Sequence, residues 1–135
     1  MIEYQGWMTV SGHWLEECEE DFDYQAALKT IKAEFKNKFA HENVYHENNC
    51  FIKLDFFNGL LRITAIGCNN RKTNIFQNLF DFFTFTQSVA IGSYGIFSFY
   101  DDEPSGEYKY HIYKFIKGEC IHDFDPLLSS FCSME

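Results

Sequence analysis

Basic residues are scarce in this chain. Eleven Lys and Arg stand against twenty Asp and Glu, a formal net charge of −9 at pH 7. A nucleic-acid backbone has to be met by cationic side chains, so nucleic acid is not an expected partner. An anionic membrane surface is excluded on the same ground, while a basic protein partner is permitted. Cysteine is present five times, at Cys18, Cys50, Cys68, Cys120 and Cys132, but never as a C-x-x-C pair. An odd count without paired spacing argues against a disulfide framework and a cysteine zinc site, and for reduced thiols in a cytoplasmic protein. No apolar run approaches the length of about 18 residues that a membrane helix needs. Met1-Ile2-Glu3-Tyr4 opens without the basic and apolar blocks of a secretory signal. Linkers, repeats and low-complexity segments are missing too.

Aromatic residues are abundant. Sixteen Phe and eight Tyr supply the core of what reads as one domain, residues 1–135. A chain of this size buries roughly two thirds of its unfolded surface and needs no staple. The stretch Gly92–Gly118 organises the rest. Two aromatic, β-rich runs, Gly92–Tyr100 and Glu107–Ile116, flank the polar loop Asp101-Asp102-Glu103-Pro104-Ser105-Gly106. That pattern predicts a hairpin with an acidic tip and strands that need a partner layer.

The remaining segments supply that layer. Ile2, Tyr4, Gly6, Met8 and Val10 alternate with polar positions, which predicts a strand with one buried face and Trp7 on the other. Tyr24, Ala27, Leu28, Ile31, Phe35 and Phe39 form a helical stripe over about 23–40, with Asp21 or Asp23 as cap. Ahead of it, Glu16, Glu17, Glu19 and Glu20 have no structural explanation. The segment 41–49 is polar and reads as a loop. Phe51–Phe57 and Leu60–Gly67 flank Asn58-Gly59, the favoured type I′ hairpin turn. Pairing outward from it sets Phe56 against Leu61, Leu54 against Ile63 and Ile52 against Ala65 on a buried face. Asp55 meets Arg62 and Lys53 meets Thr64 on the other face, so the first of these reads as a cross-strand ion pair. Ile75, Leu79, Phe82, Phe83 and Thr86 mark a second helix. Lys117-Gly118 turns the chain into a last strand, Glu119–Phe124.

The expected fold is α+β: a mainly antiparallel sheet of about six strands with two helices packed on it, in the order β-α-β-β-α-β-β-β. The first six elements match the split βαβ order of a ferredoxin-like core.

Signatures of catalysis are missing. The chain holds no P-loop, no dinucleotide glycine pattern and no H-E-x-x-H. Gly92-Ser93-Tyr94-Gly95 falls between a helix and a strand and is not a nucleophile elbow. His41 and His46, with Glu42 and Glu47, read as a solvated loop in preference to a metal site. Pairing across Lys117-Gly118 places His111 near Phe124 and not opposite His122. No His, Cys or Ser shows an orienting partner in the sequence. No catalytic residue, metal ligand or cofactor is expected.

Several segments resemble the immunity protein 7 family of bacterial polymorphic toxin systems. They are Glu3-Tyr4-Gln5-Gly6-Trp7, the block from Asp81-Phe82-Phe83 through Gly92-Ser93-Tyr94-Gly95-Ile96 to Tyr100-Asp101-Asp102-Glu103, and the ending Lys117-Gly118 to Asp125-Pro126-Leu127-Leu128-Ser129, with Cys132 near the end. Asn58-Gly59 and Asn69-Asn70-Arg71 fall where that family has turns. Gln5 stands where the family has His, and no Pro follows Ser129. The resemblance implies an α+β protein without catalytic activity that binds and neutralises a cognate toxin. A basic toxin, such as a nuclease, would suit the acidity. Candidate toxin-binding residues are Asp101, Asp102, Glu103 and Glu107 at the central hairpin, then Glu16, Glu17, Glu19 and Glu20, with Trp7 as an aromatic anchor. Two other readings stay open: a small hydrolase or metal enzyme using loop His and Asp/Glu, which metal analysis would address, and an oligomeric regulatory scaffold, which molecular mass in solution would address.

Overall fold

The computed structural model describes residues 1–12, 22–70, 74–101 and 109–125. Its elements are β1 (Ile2–Thr9), α1 (Tyr24–Phe39), β2 (Val44–Glu47), β3 (Cys50–Phe57), β4 (Leu60–Asn69), α2 (Asn74–Val89), β5 (Tyr94–Asp101), β6 (Lys109–Ile116) and β7 (Glu119–Phe124). Among the described residues seven strands make one sheet in the order β2-β3-β4-β1-β5-β6-β7. Every neighbouring pair is antiparallel. The α+β expectation holds, with one strand more than the sequence suggested.

The added strand is β2, inside the segment expected to be a loop. Asn48 and Asn49 both take positive φ, 53° and 59°. That is a two-residue turn of the hairpin kind, and Asn enters this region more readily than other side chains. It folds β2 back on β3 with Tyr45 beside Ile52 and His46 beside Phe51. Only Tyr45 of β2 is buried, so the short strand carries almost no apolar alternation.

The Asn58-Gly59 turn forms as its chemistry dictates, with φ of 53° and 78°. The register matches the expected pairs, Leu54 with Ile63 and Ile52 with Ala65. Ile52, Leu54, Leu61, Ile63 and Ala65 are buried. Phe56 is a correction: it is 47% exposed. It lies next to the turn at the margin of α1, and Lys32 Nζ sits 5.4 Å from its ring centroid. A second correction concerns Asp55. It faces Arg62 in register, yet its carboxylate lies 3.0 Å from Lys53 Nζ. The Arg62 guanidinium lies 4.8 Å from the Trp7 ring centroid instead. A planar cation stacks on an aromatic face more favourably than it competes for a half-exposed carboxylate that Lys53 already pairs.

Both helices lie on one face of the sheet. The α1 stripe buries Ala27, Leu28, Ile31, Phe35 and Phe39, and Asp23 Oδ1 accepts the Ala26 N–H at 3.0 Å as its cap. Helix α2 buries Phe76, Leu79, Phe82 and Phe83. The two helices meet through Phe35 against Phe82, ring centroids 5.5 Å apart at 74°. Phe97 on β5 receives Phe76, Phe80 and Phe83 at 5.7, 5.7 and 5.2 Å. These edge-to-face contacts add to the large area each ring buries.

Phe97 is fully buried at the centre of this layer. Phe97→Ala is expected to cost about 3–5 kcal/mol of unfolding free energy. Phe56→Ala, on the same side of the sheet but exposed, should cost well under about 1 kcal/mol. Urea denaturation of both variants checks the contrast; equal losses would contradict this account of the core.

Candidate functional site

Strand alternation gives the sheet two unlike faces. Ile2, Tyr4 and Met8 of β1 point under the helices and are buried. Glu3, Gln5, Trp7 and Thr9 point the other way. Their neighbours on that side follow from the register. Ile66, Thr64 and Arg62 come from β4, and Ser98, Ile96 and Tyr94 from β5. Phe51 and Phe57 come from β3, and Ile112, Lys114 and Ile116 from β6. Neither helix covers this face. It holds exposed large apolar side chains from six strands: Val44, Phe57, Leu60, Ile66, Tyr94, Ile116 and Ile121.

Trp7 belongs to this face and is half-buried. Arg62 covers its ring from one side, and Tyr94 meets it edge-on at 6.2 Å. Its ring is held in place by these two neighbours.

A cleft opens at the end of the sheet where β1 begins and β4 ends. Its volume is about 540 Å³, and its walls include Glu3, Gln5, His46, Phe51, Ile66, Cys68 and Tyr110. The Gln5 side-chain amide donates to Tyr110 Oη at 3.3 Å, and Ser98 Oγ shares a hydrogen bond with the same oxygen at 3.3 Å. These contacts hold the phenol as one wall. His46 packs edge-on against Phe51 at 5.6 Å. Beneath the cleft Tyr4 crosses Gly67, whose absent side chain makes room for the ring. Its hydroxyl donates to Asn69 Oδ1 at 2.6 Å, and Asn69 Nδ2 donates to the Asn48 carbonyl at 2.9 Å. This relay ties β1, β4 and the β2–β3 turn together.

Burial pushes the Tyr4 phenol far above its ordinary range, and the adjacent Cys50 thiol adds to the rise. Burial also pushes the Cys50 thiol up. Both groups are held neutral and protonated at pH 7, the wrong state for a nucleophile. Cys50, Cys68 and Cys120 are free; Cys18 and Cys132 lie outside the described residues. No group of three potential metal ligands occurs among the described residues.

Of the expected toxin-binding residues, Asp101 closes β5, opposite Ile2 of β1 and Lys109 of β6. It therefore sits at the same end of the sheet as Glu3 and the cleft. Asp102, Glu103, Glu107, Glu16, Glu17, Glu19 and Glu20 lie outside the described residues. The expected register of the histidines holds, and the expectation that no His has an orienting partner is corrected. His111 does pair with Phe124 in register, but its Nδ1 lies 2.9 Å from His122 Nε2. Diagonal neighbours on adjacent strands can touch, and the two nearly coplanar rings orient each other.

The family model for immunity protein 7 matches residues 1–133. This chain belongs to the immunity protein 7 family. That makes it an immunity protein of toxin systems. Searches of curated proteins and of solved structures found no match. No described helix of this family member is long and apolar enough to cross a membrane. The cleft and the apolar side chains around it were not anticipated from the sequence. Phe51 and Ile66 pair within the Asn58-Gly59 hairpin, but Glu3, Gln5 and Tyr110 come from distant parts of the chain and only the strand order brings them to the same cleft.

The Tyr4 shift sets a pH dependence. A phenol whose folded pKa is raised contributes stability that is complete below its unfolded value, about 10, and lost above it. Tyr45 and Tyr113 are shifted in the same direction by burial. Urea unfolding should therefore show stability falling as pH rises above about 10 toward the raised folded values, by up to about 1.4 kcal/mol per unit for each such group. Tyr4→Phe should start less stable at pH 7 by roughly 1 kcal/mol, through the lost hydrogen bond, and fall less steeply. An unchanged alkaline slope in Tyr4→Phe would contradict the assignment.

Proposed function

We propose that this immunity protein binds a cognate toxin domain directly and neutralises it, without catalytic activity of its own. The observation that carries the reading is the family match over residues 1–133 in a chain of net charge −9. Complementary charge raises association rate and suppresses wrong partners, so the toxin is basic. A nuclease fits, because a protein that works on nucleic acid needs a cationic surface. The acidic hairpin between β5 and β6 is the first contact region, with Asp101, Asp102, Glu103 and Glu107; Glu16, Glu17, Glu19 and Glu20 form a second one. A loop carried by two paired strands presents its carboxylates at low ordering cost. The protein acts in the cytoplasm as a single domain. The order β3-β4-β1-β5, with α2 linking β4 to β5 across one neighbour and α1, followed by the short β2, leading from β1 to β3 across one neighbour, supports a ferredoxin-like core extended by an added strand at one edge and two at the other.

The test is charge reversal in cells that produce the cognate toxin. Asp101→Lys with Asp102→Lys is expected to abolish protection while circular dichroism stays unchanged. Glu16→Lys with Glu17→Lys should weaken protection less. Full protection by both pairs would remove the electrostatic part of the proposal.

A further inference from the structure

We propose that the helix-free face of the sheet is where the toxin docks, and that the cleft at its end receives a lysine or arginine side chain of the toxin. This rests on the function proposed above and names the contact surface within it. Three observations carry it. The first is coverage: α1 and α2 both pack on one side, so the apolar side chains on the other are left facing water. By register Phe57, Leu60 and Tyr94 lie at the Thr9 end of β1 and Ile66 at the cleft end, and exposed apolar side chains spread over one face of a protein that acts by binding mark an interaction site. Ile66, at 55% exposure, is the most exposed of these residues, together with Phe57, and it forms part of the cleft wall.

The second observation is the cleft's chemistry. Its lining contains the Glu3 carboxylate and no Lys or Arg. Phe51, Ile66 and Tyr110 offer apolar and aromatic surface beside that carboxylate. A long cationic side chain matches both: its methylene stem packs on the apolar walls, its head reaches the carboxylate, and ring faces attract the charge. A volume of about 540 Å³ lies within the range of built binding pockets. An acidic side chain of a partner would meet Glu3 unfavourably, so the cleft selects for positive charge.

The third observation is preorganisation. Gln5 and Ser98 hold the Tyr110 hydroxyl, His46 braces Phe51, and the Tyr4–Asn69–Asn48 relay fixes the floor. A rigid receptor loses little freedom when it is filled.

The experiment measures binding of the purified cognate toxin domain to the full chain, by calorimetry at two salt concentrations. Ile66→Asp is expected to weaken Kd by about 30-fold or more, as loss of a central contact does. Glu3→Gln removes charge but keeps shape. It should weaken Kd by about tenfold and flatten the salt dependence. Glu34→Lys, on α1 at the helical side of the sheet, is the control and should stay within about twofold. Circular dichroism and Tm establish that each variant is folded. Binding by the unaltered protein with no effect of Ile66→Asp overturns the docking face alone. Loss on Ile66→Asp with no effect of Glu3→Gln overturns the cationic occupant. Self-association that disappears in Ile66→Asp would assign the face to a second copy of this chain and overturn the proposal. No binding by the unaltered protein would overturn the function on which the proposal rests.

Discussion

The structure depends on an aromatic layer pressed between one face of the sheet and two helices. Phe35, Phe82, Phe83, Phe97 and Phe115 are among its fully buried members. Rings of this size gain most when they meet edge to face across several elements at once. That demand draws α1 and α2 to the same side. It also decides what is left over. With both helices spent on one face, the opposite face of a seven-stranded sheet has no described layer on it, and the side chains that alternate outward become the surface a partner meets.

β1 is the element through which both consequences act. It lies in the middle of the sheet, between β4 and β5. Its inward residues reach α2 directly, as Tyr4 does through Phe76 at 5.5 Å. Its outward residues, Glu3, Gln5 and Trp7, are the centre of the open face. One strand thus supplies a helix-packing surface and a cleft wall from alternate positions. The hydroxyl of Tyr4 passes over Gly67 to reach Asn69 at the cleft end of the sheet.

Much of this was legible in the sequence, and the failures have physical causes. The Asn58-Gly59 turn and the alternation around it specified the β3–β4 register pair by pair, because a one-residue slip would have exposed the whole apolar face. Asn48-Asn49 carried a similar turn signal, but the strand it starts buries only Tyr45, so the alternation that would have confirmed it is absent. Phe56 was assigned to the core by parity alone; parity gives the face of a strand and not how far a helix extends along it. Asp55 and Arg62 are opposite each other as expected, and the nearby Trp7 ring takes the guanidinium because β1 intervenes from a distant part of the chain. The cleft was invisible for the same reason: its walls come from β1, β2, β3, β4 and β6, and sequence spacing does not encode that strand order.

The central claim is that the toxin meets the helix-free face. Phe56 and Phe57 are consecutive, both exposed, and on opposite sides of the sheet. Oxidative footprinting of the free protein and of its complex with the toxin domain reads both at once. The account predicts that Phe57, Ile66 and Tyr94 lose reactivity in the complex while Phe56 and Phe124 keep theirs. Protection of Phe56 and Phe124, with Phe57, Ile66 and Tyr94 unchanged, would place the toxin on the helical side and contradict it.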